Sequence, residues 1–462
     1  MRLGSNASIA AALFGFVLLT HLVSRVSQSA DSFWTVPVML SMLSEGNTNL
    51  DEYPQLLREK GFQGVECVTQ DYRVVGTNSV SGCPVGSHYY YWYPIGTPVV
   101  ALPLMACADA AVRLFGKAAD RMVEGHVGAV AREFLRRDYL ESHLLVEVLL
   151  ASIIVALTTV LLFFTARMYL GPGASAVLAL LFAFATSAWS TASRALWQHG
   201  PNMLMLTAAL YLLSLASRRP AALPWAAAPL TLAYFIRPTS SIVLAVVGVY
   251  VFVHHRSRFV RWLAVAAVTA APFLAYNFYI YHQPLQSYYL LSLFLPPTPA
   301  NLGRILNAFA GNILSPSRGL FIFSPFLLFS LAGIWLSLRR KWMTPLAYYL
   351  AAALALHWIA ISHYMYWTAG HCYGPRMFVD ALPLFLFFLI PTFLWLHLDQ
   401  PRRLRSVAFY SCVLISFFMH YRGAMYWAPY EWNGPQSIVT TEQAWNWRDP
   451  QFLRGVFDKS QK

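Results

Sequence analysis

The sequence predicts an all-α, polytopic integral membrane protein with about 11–13 transmembrane helices and a large external first loop. Of its 462 residues, 57% are hydrophobic and only 11% are charged, whereas about a quarter of an ordinary globular chain is charged. Apolar runs that approach the roughly 20 residues needed to span a bilayer recur along the chain. These runs do not alternate with a period of two, which excludes a membrane β-barrel.

Twelve apolar runs carry the predicted helices. They lie at 7–24, 95–115, 143–168, 173–190, 201–217, 221–236, 239–254, 259–281, 318–338, 344–361, 377–398 and 404–420. Several are shorter than a full span, so they give the number of spans only to within about one or two. The polar stretches between them are too small for a separate soluble domain. We therefore expect one transmembrane domain, 1–420, which includes the external loop 25–94, and an external C-terminal tail, 421–462.

The first apolar run has the features of a secretory signal. Arg2 precedes it, and the small-residue sequence Ser-Gln-Ser-Ala follows it at 27–30. Because the run is longer than the apolar region of a typical signal peptide, we favour an uncleaved first helix. The alternative, cleavage after Ala30, would leave Asp31 as the first residue.

The charges of the loops assign them to the two sides of the membrane. Basic clusters at 218–219, 256–261, 339–341 and 402–405 separate alternate pairs of helices, and the positive-inside rule makes these loops cytoplasmic. The external set is then 191–200, 237–239, 282–317, 362–376 and the tail. Since the net charge of +13 is dispersed over short loops, the pattern argues against nucleic-acid binding.

One loop breaks this alternation. With Arg2 inside, 25–94 is external, and simple alternation makes 169–172 external too, although the later basic clusters require 169–172 inside. Either one run between 95 and 217 does not cross, or the amphipathic stretch 118–140 contains an irregular passage.

Two cysteines lie in the predicted external first loop. Cys67 and Cys83 occur in a polar, glycine-rich segment. A disulfide between them is plausible in an oxidising compartment, and two unpaired thiols are the alternative.

Acidic residues are absent from a long part of the chain. No Asp or Glu occurs from 148 to 379, whereas arginines recur there on the predicted external side at Arg194, Arg237, Arg304, Arg318 and Arg376. Uncompensated arginines at membrane depth are costly and usually functional, and a planar guanidinium matches phosphate oxygens bidentately. A basic cavity that faces a carboxylate-bearing loop suits transfer from a phosphate-linked donor. The alternative for each arginine is an interfacial anchor that reaches to lipid headgroups.

Six motifs occur in order at the predicted helix ends. They are Asp31-Ser-Phe-Trp, Tyr93-Pro-Ile-Gly-Thr-Pro98, Ser193-Arg-Ala-Leu-Trp-Gln-His199-Gly-Pro201, Ile236-Arg-Pro-Thr239, Leu314-Ser-Pro-Ser-Arg318-Gly-Leu-Phe-Ile-Phe-Ser-Pro325 and Trp367-Thr-Ala-Gly-His-Cys-Tyr-Gly-Pro-Arg376. With this set the chain resembles the GT-C superfamily of membrane glycosyltransferases, nearest to the bacterial mannosyl- and aminoarabinosyl-transferase-like proteins. The resemblance implies a polyprenyl-phosphate-linked sugar as donor and a lipid, glycan or protein of the cell envelope as acceptor. It also implies a periplasmic active site in the bacterial inner membrane.

Carboxylates of the first loop are the candidate catalytic groups. Asp31 directly follows the first helix, as the family's acidic residue does, and is the expected general base for the acceptor or its orienting group. The alternative is an N-cap of the amphipathic helix that follows. Asp51 and Asp71 are further candidates from the same loop, where carboxylates are usually only solvated.

The candidate donor- and phosphate-binding residues are Arg237, Arg318, Arg376, Arg194, His199, His371 and Tyr93. For Arg237, the alternative role is an anchor at a helix boundary. For Arg376, the alternative role is an i, i+4 ion pair with Asp380. The segment 315–319 is either an anion site at a helix start or a mere loop. The aromatic run 89–93 is either an interfacial belt or a surface that stacks on a sugar or isoprenoid.

No metal or other cofactor is indicated. No His/Cys spacing fits zinc, the acids are too few for a Mg²⁺ cage, and no glycine-rich nucleotide loop supports a nucleotide-sugar donor. Two other functions stay open. One is a transporter or flippase for a lipid-linked sugar or another anion, although such proteins typically use internal repeats and broken helices near the midplane. The other is a non-catalytic subunit of an envelope-assembly complex, which would tolerate loss of Asp31.

Overall fold

The computed structural model describes residues 3–77, 83–122, 128–290, 294–341, 345–397, 403–435 and 438–456. Of the described residues, 70% are in helices and 3% are in strands. Within the described residues, six helices are long and apolar enough to cross a membrane, judged by length and composition: Gly96–Arg121, His143–Ala166, Arg256–Tyr281, Leu346–His363, Arg376–Leu396 and Arg403–Met425. The mostly helical, membrane-suited fold predicted from the sequence is thus confirmed at this level.

Twenty α-helices follow one another in the described part of the chain. They are α1 (Leu3–Leu22), α2 (Thr35–Ser44), α3 (Pro54–Glu59), α4 (Gly96–Met122), α5 (Ala129–Leu135), α6 (His143–Ala166), α7 (Pro172–Phe184), α8 (His199–Ala216), α9 (Ala227–Ile236), α10 (Ser241–His254), α11 (Arg256–Tyr281), α12 (Ser287–Leu290), α13 (Pro299–Leu314), α14 (Leu320–Phe323), α15 (Leu328–Arg339), α16 (Leu346–Ser362), α17 (Leu382–His397), α18 (Arg403–Met425), α19 (Ala428–Glu431) and α20 (Thr441–Ala444). Each of the twelve predicted apolar runs coincides with one helix or with two or three consecutive helical segments. The prediction missed α13, which lies in a stretch read only as polar.

The core of the bundle forms around α17. The sequence of this helix is apolar on every side, and 94% of the most apolar 18 residues of the span Arg376–Leu396, which contains most of α17, are buried, as expected for a helix without a polar face. It packs against α15 and also contacts α6, α7 and α8. In turn, α6 packs against α1 and α8. Apolar side chains therefore fill the middle of the bundle, which leaves charged groups to collect at the helix ends.

Polar contacts identify one end of the bundle, here called the Asn6 end. Arg167, at the end of α6, donates from Nε to Asn6 Oδ1 across 3.1 Å. Arg218, after α8, donates to the carbonyl of Met168. These contacts place 167–170 beside the basic pair 218–219. The charge pattern required this grouping, although which side of a membrane this end faces stays a prediction.

The helix α4 is where the simple alternation of spans fails. A Cβ atom at Gly96 would lie 2.4 Å from the Phe235 carbonyl, next to Arg237. Further along the helix, Asp109 accepts hydrogen bonds from Arg137 and Tyr139, just before α6 begins. The flanks of α4 and α5 therefore lie at the same end of the bundle, although α4 is long and apolar enough to span a membrane. The two alternatives for this part of the chain, a run that does not cross and an irregular passage in 118–140, both stay predictions.

The first loop contains a small β-sheet, which the all-α prediction missed. Strands β1 (Val65–Val68), β2 (Val74–Thr77) and β3 (His88–Tyr91) form an antiparallel sheet in the order β2-β1-β3. Strands of four residues are too short to show a reliable alternation in sequence. Cys67 on β1 is bonded to Cys83, with 6.0 Å between their Cα atoms. Of the two alternatives for these cysteines, the disulfide is therefore correct.

The C-terminal segment packs onto the bundle as an ordered layer. Trp432, Val439 and Ala444 form a buried cluster with Ala308 of α13 and with Trp367. The last two belong to segments 282–317 and 362–376, which the loop charges assigned to the same side as the tail. The contacts therefore group these three segments as the charge pattern predicts.

Candidate functional site

Five ionisable side chains join into one row, here called the ionic chain. Arg376 donates from Nη2 to Asp31 Oδ2 across 2.6 Å and from Nε to His199 Nε2 across 3.2 Å. The other ring nitrogen, Nδ1, lies 3.0 Å from Asp380 Oδ1. Asp380 is ion-paired through Oδ2 with Arg237. The row thus alternates in charge, with a histidine at its centre.

Every member of the ionic chain lies at the end of a helical element. Asp31 lies in the turn between α1 and α2, and His199 is the first residue of α8. Arg237 ends α9 in an extended conformation, which the following proline favours. Arg376 and Asp380 belong to the 3₁₀ turn Arg376–Ala381 that precedes α17. Helix ends meet here because apolar side chains occupy the middle of the bundle; we call this the Asp31 end.

The hydrogen bonds fix the protonation of His199. A guanidinium group has donors only, so the nitrogen that receives the bond from Arg376 must be unprotonated. The ring proton then lies on Nδ1, where it donates to Asp380. His199 is therefore a neutral relay between Arg376 and Asp380, and the ionic chain carries two positive and two negative charges.

The ionic chain is accessible at one end and sealed in its middle. The Asp31 side chain is 32% exposed and that of Arg376 14%, whereas His199 and Asp380 are 1% and 2% exposed. Arg237 is 12% exposed at the other end. A molecule that approaches the site therefore meets the carboxylate first and the two arginines next.

The ionised form of Asp31 is stabilised by its neighbours. Burial by itself would raise the pKa of this carboxyl, but the charge of Arg376 and hydrogen bonds from Arg376 and Tyr93 hold the pKa below its usual value. Burial and the nearby Asp31 raise the pKa of Tyr93 well above its usual value. Tyr93 therefore keeps its proton and donates to a carboxylate that is charged at neutral pH.

The alternative role of Arg376, an i, i+4 ion pair with Asp380, is contradicted by the structure. The structure pairs Arg376 with Asp31 and pairs Asp380 with Arg237 and His199 instead. The physical reason is the 3₁₀ turn Arg376–Ala381, in which residues three apart, rather than four apart, lie above one another. The two side chains therefore reach different partners.

Arg194 lies outside the ionic chain and holds the end of α1. All five of its N–H groups have protein acceptors: Ser193 Oγ twice and the carbonyls of His21, Ser24 and Val26. The side chain is fully buried. A cation at a helix C-terminus is also favoured by the helix dipole. This arginine has no free donor for a phosphate, so we no longer assign it that role.

Arg318 is saturated in the same way. Its acceptors are the carbonyls of Thr368, Ser317 and Gly370 and the side-chain oxygens of Gln451 and Asn433. It ties the loop before α14 to the loop after α16 and to the C-terminal segment. Of the two alternatives for 315–319, a structural turn agrees with these contacts better than an anion site.

Asp51 and Asp71 make their given contacts outside the ionic chain. Asp51 accepts from the backbone N–H of Tyr89 across 2.9 Å and lies 2.5 Å from His88 Nδ1, so it fastens β3. Asp71 is 71% exposed and 3.7 Å from Arg73. His371 packs edge-on against Tyr430, with ring centroids 6.3 Å apart. Asp31, Tyr93, His199, Arg237 and Arg376 are thus the predicted residues that the structure brings together.

Sequence reasoning missed Glu147, which fixes the turn that carries Asp31. Its carboxylate accepts from Ser29 Oγ and Ser32 Oγ, each at 2.5 Å, and from the Leu196 backbone N–H at 3.1 Å. Next to Leu196, the Trp197 ring lies 4.1 Å from the Arg376 guanidinium carbon. One buried carboxylate therefore positions both partners of the Asp31–Arg376 pair. A single acid inside an apolar run was the signal available in the sequence.

No group of three or more His, Cys, Asp or Glu that could hold a metal ion occurs among the described residues. No protein-family model, curated protein sequence or solved structure matches this chain. The resemblance to GT-C glycosyltransferases is therefore still a prediction.

Proposed function

We propose that this chain is a membrane glycosyltransferase. It would transfer a sugar from a polyprenyl-phosphate-linked donor to an envelope acceptor on the periplasmic side of the bacterial inner membrane, with a transmembrane domain of about 11–13 spans. The observation that carries the proposal is the Asp31–Arg376 pair. An accessible carboxylate touches a guanidinium that is itself partly accessible, at one end of an apolar bundle.

The pair supplies the two groups that this reaction requires. The acceptor hydroxyl attacks the anomeric carbon, the bond from that carbon to the phosphate oxygen breaks, and the polyprenyl phosphate leaves with the electron pair. The hydroxyl proton passes to Asp31, which acts as general base. Arg376 and Arg237 stabilise the charge that grows on the departing phosphate.

The ion pair also gives a reason for the base to act only when donor is bound. Arg376 holds the pKa of Asp31 low, and a carboxylate with a low pKa is a weak base. A donor phosphate that draws the guanidinium toward itself weakens this effect and raises the basicity of Asp31. Donor binding would thereby prepare the carboxylate for the proton of the acceptor.

A transporter or flippase is the main rival, because buried charges in a membrane protein also line transport pathways. Substrate sites of such proteins typically lie near the midplane between broken helices. The ionic chain lies instead at the Asp31 end of the bundle, beside the folded first loop. This position favours chemistry at the surface over passage through the bundle.

The deciding experiment measures transfer directly. Purified protein in lipid nanodiscs is given synthetic polyprenyl-phosphate sugars and cell-envelope extract, and sugar incorporation is followed with a radiolabel. We expect transfer by the wild type and transfer at least about 100-fold slower by Asp31→Asn. Movement of the labelled donor across the membrane of sealed vesicles, without any sugar transfer, would contradict the glycosyltransferase proposal and support a flippase.

A further inference from the structure

A cleft of about 410 Å³ lies beside the ionic chain. Its walls are formed by α13, by the loop that follows α16 and by the C-terminal residues 438–442. Thr368 belongs to the wall, and the carbonyl of the next residue, Ala369, accepts from Arg376 across 3.4 Å. Ala369 and Gly370 have φ values of 60° and 63°, so the backbone turns sharply at this contact. The wall residue Thr368 is thus the sequence neighbour of a residue that contacts Arg376 of the ionic chain.

A second residue of the wall lies within electrostatic reach of the same site. Tyr364 lines the cleft. Burial raises the pKa of Tyr364 to about 12, and the charges of Arg237, Arg376 and Asp31 act on its phenol as well. The phenol therefore keeps its proton at neutral pH and is available as a hydrogen-bond donor.

The lining combines one exposed aromatic ring with unpaired polar groups. Tyr366 is 39% exposed, and its ring packs edge-on against Tyr364 with centroids 6.1 Å apart. Arg304 of α13 and Glu442 of α20 lie on different walls. Among the described residues, neither makes an ion pair within 4.0 Å. The cleft thus offers an aromatic face, a guanidinium donor and a carboxylate acceptor.

We propose that this cleft binds the saccharide part of the acceptor. One face of a hexose presents C–H bonds, which pack on the electron-rich face of an aromatic ring. Sugar hydroxyls both donate and accept hydrogen bonds, so they suit a site that offers the donors of Arg304 on one wall and the acceptor oxygens of Glu442 on another. A lipid chain would require a continuous apolar groove, and a phosphate would be repelled by Glu442.

The inference depends on the proposed function, and it narrows the acceptor from lipid, glycan or protein to a molecule with an exposed glycan. It also divides the substrates between two neighbouring sites. The donor phosphate belongs to the ionic chain, and the acceptor sugar belongs to the cleft. The wall formed by Thr368 and Ala369 separates them, beside the Arg376–Asp31 pair that would take the hydroxyl proton.

Saturation-transfer NMR tests the cleft without any need for turnover. The full-length protein is placed in phosphatidylcholine–phosphatidylglycerol nanodiscs, which carry no sugar, and is titrated with maltose, cellobiose and lactose. We expect saturation of the protons of at least one disaccharide, and binding weaker by about tenfold in Tyr366→Ala, since stacking is lost. The matched control is Tyr348→Ala. Tyr348 is 46% exposed and lies about 21 Å along α16 from Ser362 at the cleft.

The outcomes separate the two proposals. Absence of binding by all three disaccharides, or equal affinity in wild type and Tyr366→Ala, overturns the saccharide cleft. Arg304→Gln and Glu442→Gln give a second check, since both side chains are exposed and each variant should weaken binding. Disaccharide binding that depends on Tyr366 supports the cleft even if no sugar is ever transferred. Absence of sugar transfer overturns the proposed glycosyltransferase reaction and leaves the binding cleft in place.

Discussion

Arg376 Nη2 lies 2.6 Å from Asp31 Oδ2, although the two residues are 345 positions apart in the sequence. The contact joins the turn after α1 to the turn before α17, so it brings opposite parts of the chain together. Since Asp31 is the most exposed carboxylate of the ionic chain, the chemistry proposed here depends on this one pair. The following predictions test the pair and the residues that position it.

Asp31→Asn is expected to slow sugar transfer at least about 100-fold, because a general base contributes about 10²–10⁴-fold. The amide keeps the shape of the side chain but cannot take a proton. Donor binding, measured by titration with polyprenyl phosphate, should stay within about threefold of wild type. Asp71→Asn is the control, since Asp71 is 71% exposed. Near-normal transfer by Asp31→Asn would make Asp31 a structural turn residue.

Arg376→Gln is expected to move the acidic limb of the pH–rate profile toward higher pH. In the wild type, Arg376 holds the pKa of Asp31 below its usual value, so the carboxylate stays ionised as the pH falls. Without the guanidinium, Asp31 takes up its proton at a higher pH, and transfer falls earlier. An acidic limb that does not move would show that Arg376 does not control the ionisation of Asp31.

The same shift predicts how stability depends on pH. The folded-state pKa of Asp31 is lower than the unfolded value, so its contribution is present above the unfolded pKa and disappears as pH falls through the folded pKa. Thermal unfolding in detergent should therefore show a loss of Tm between about pH 5 and pH 2 that is smaller in Asp31→Asn. An identical acid-induced loss in both proteins would contradict this account.

Glu147→Gln is expected to lower kcat with little change in donor affinity. The carboxylate accepts from Ser29, Ser32 and Leu196, and an amide oxygen can replace only some of these bonds. Glu147→Ala should also destabilise the fold, because an unsatisfied buried donor costs about 1–3 kcal/mol. Glu141→Gln, on an exposed side chain at the start of the same region, is the matched control. A kcat equal to wild type in Glu147→Gln would exclude a positioning role.

Arg237 and Arg194 should separate donor binding from folding. Arg237→Ala is expected to weaken donor binding, and Arg237→Lys to recover only part of it, because lysine lacks the planar fork. Arg194→Lys should leave donor affinity unchanged but lower Tm, since the five hydrogen bonds that hold α1 cannot all be made by an ammonium group. Equal donor affinities in Arg237→Ala and wild type would return Arg237 to the role of a helix-end anchor.

Much of the fold could be predicted from the sequence, because a bilayer imposes a pattern on the chain itself. Spanning helices need long apolar runs, and the basic clusters at 218–219 and 339–341 group the loops by side. The motifs around Asp31, His199, Arg237 and Arg376 border these apolar runs, so the sequence places them at helix ends. The sequence also showed that no Asp or Glu side chain occurs from 148 to 379.

Only the tertiary structure decided which charges meet. Arg194 and Arg318 looked equivalent to Arg237 in the sequence, yet they are saturated by protein acceptors, whereas Arg237 pairs with Asp380. Asp31 could not be paired with Arg376, nor Glu147 with Ser29 and Ser32, because these partners are distant in the chain. Local sequence fixes helices through short-range apolar patterning. Ion pairs depend on how the helices pack, and packing is a property of the whole chain.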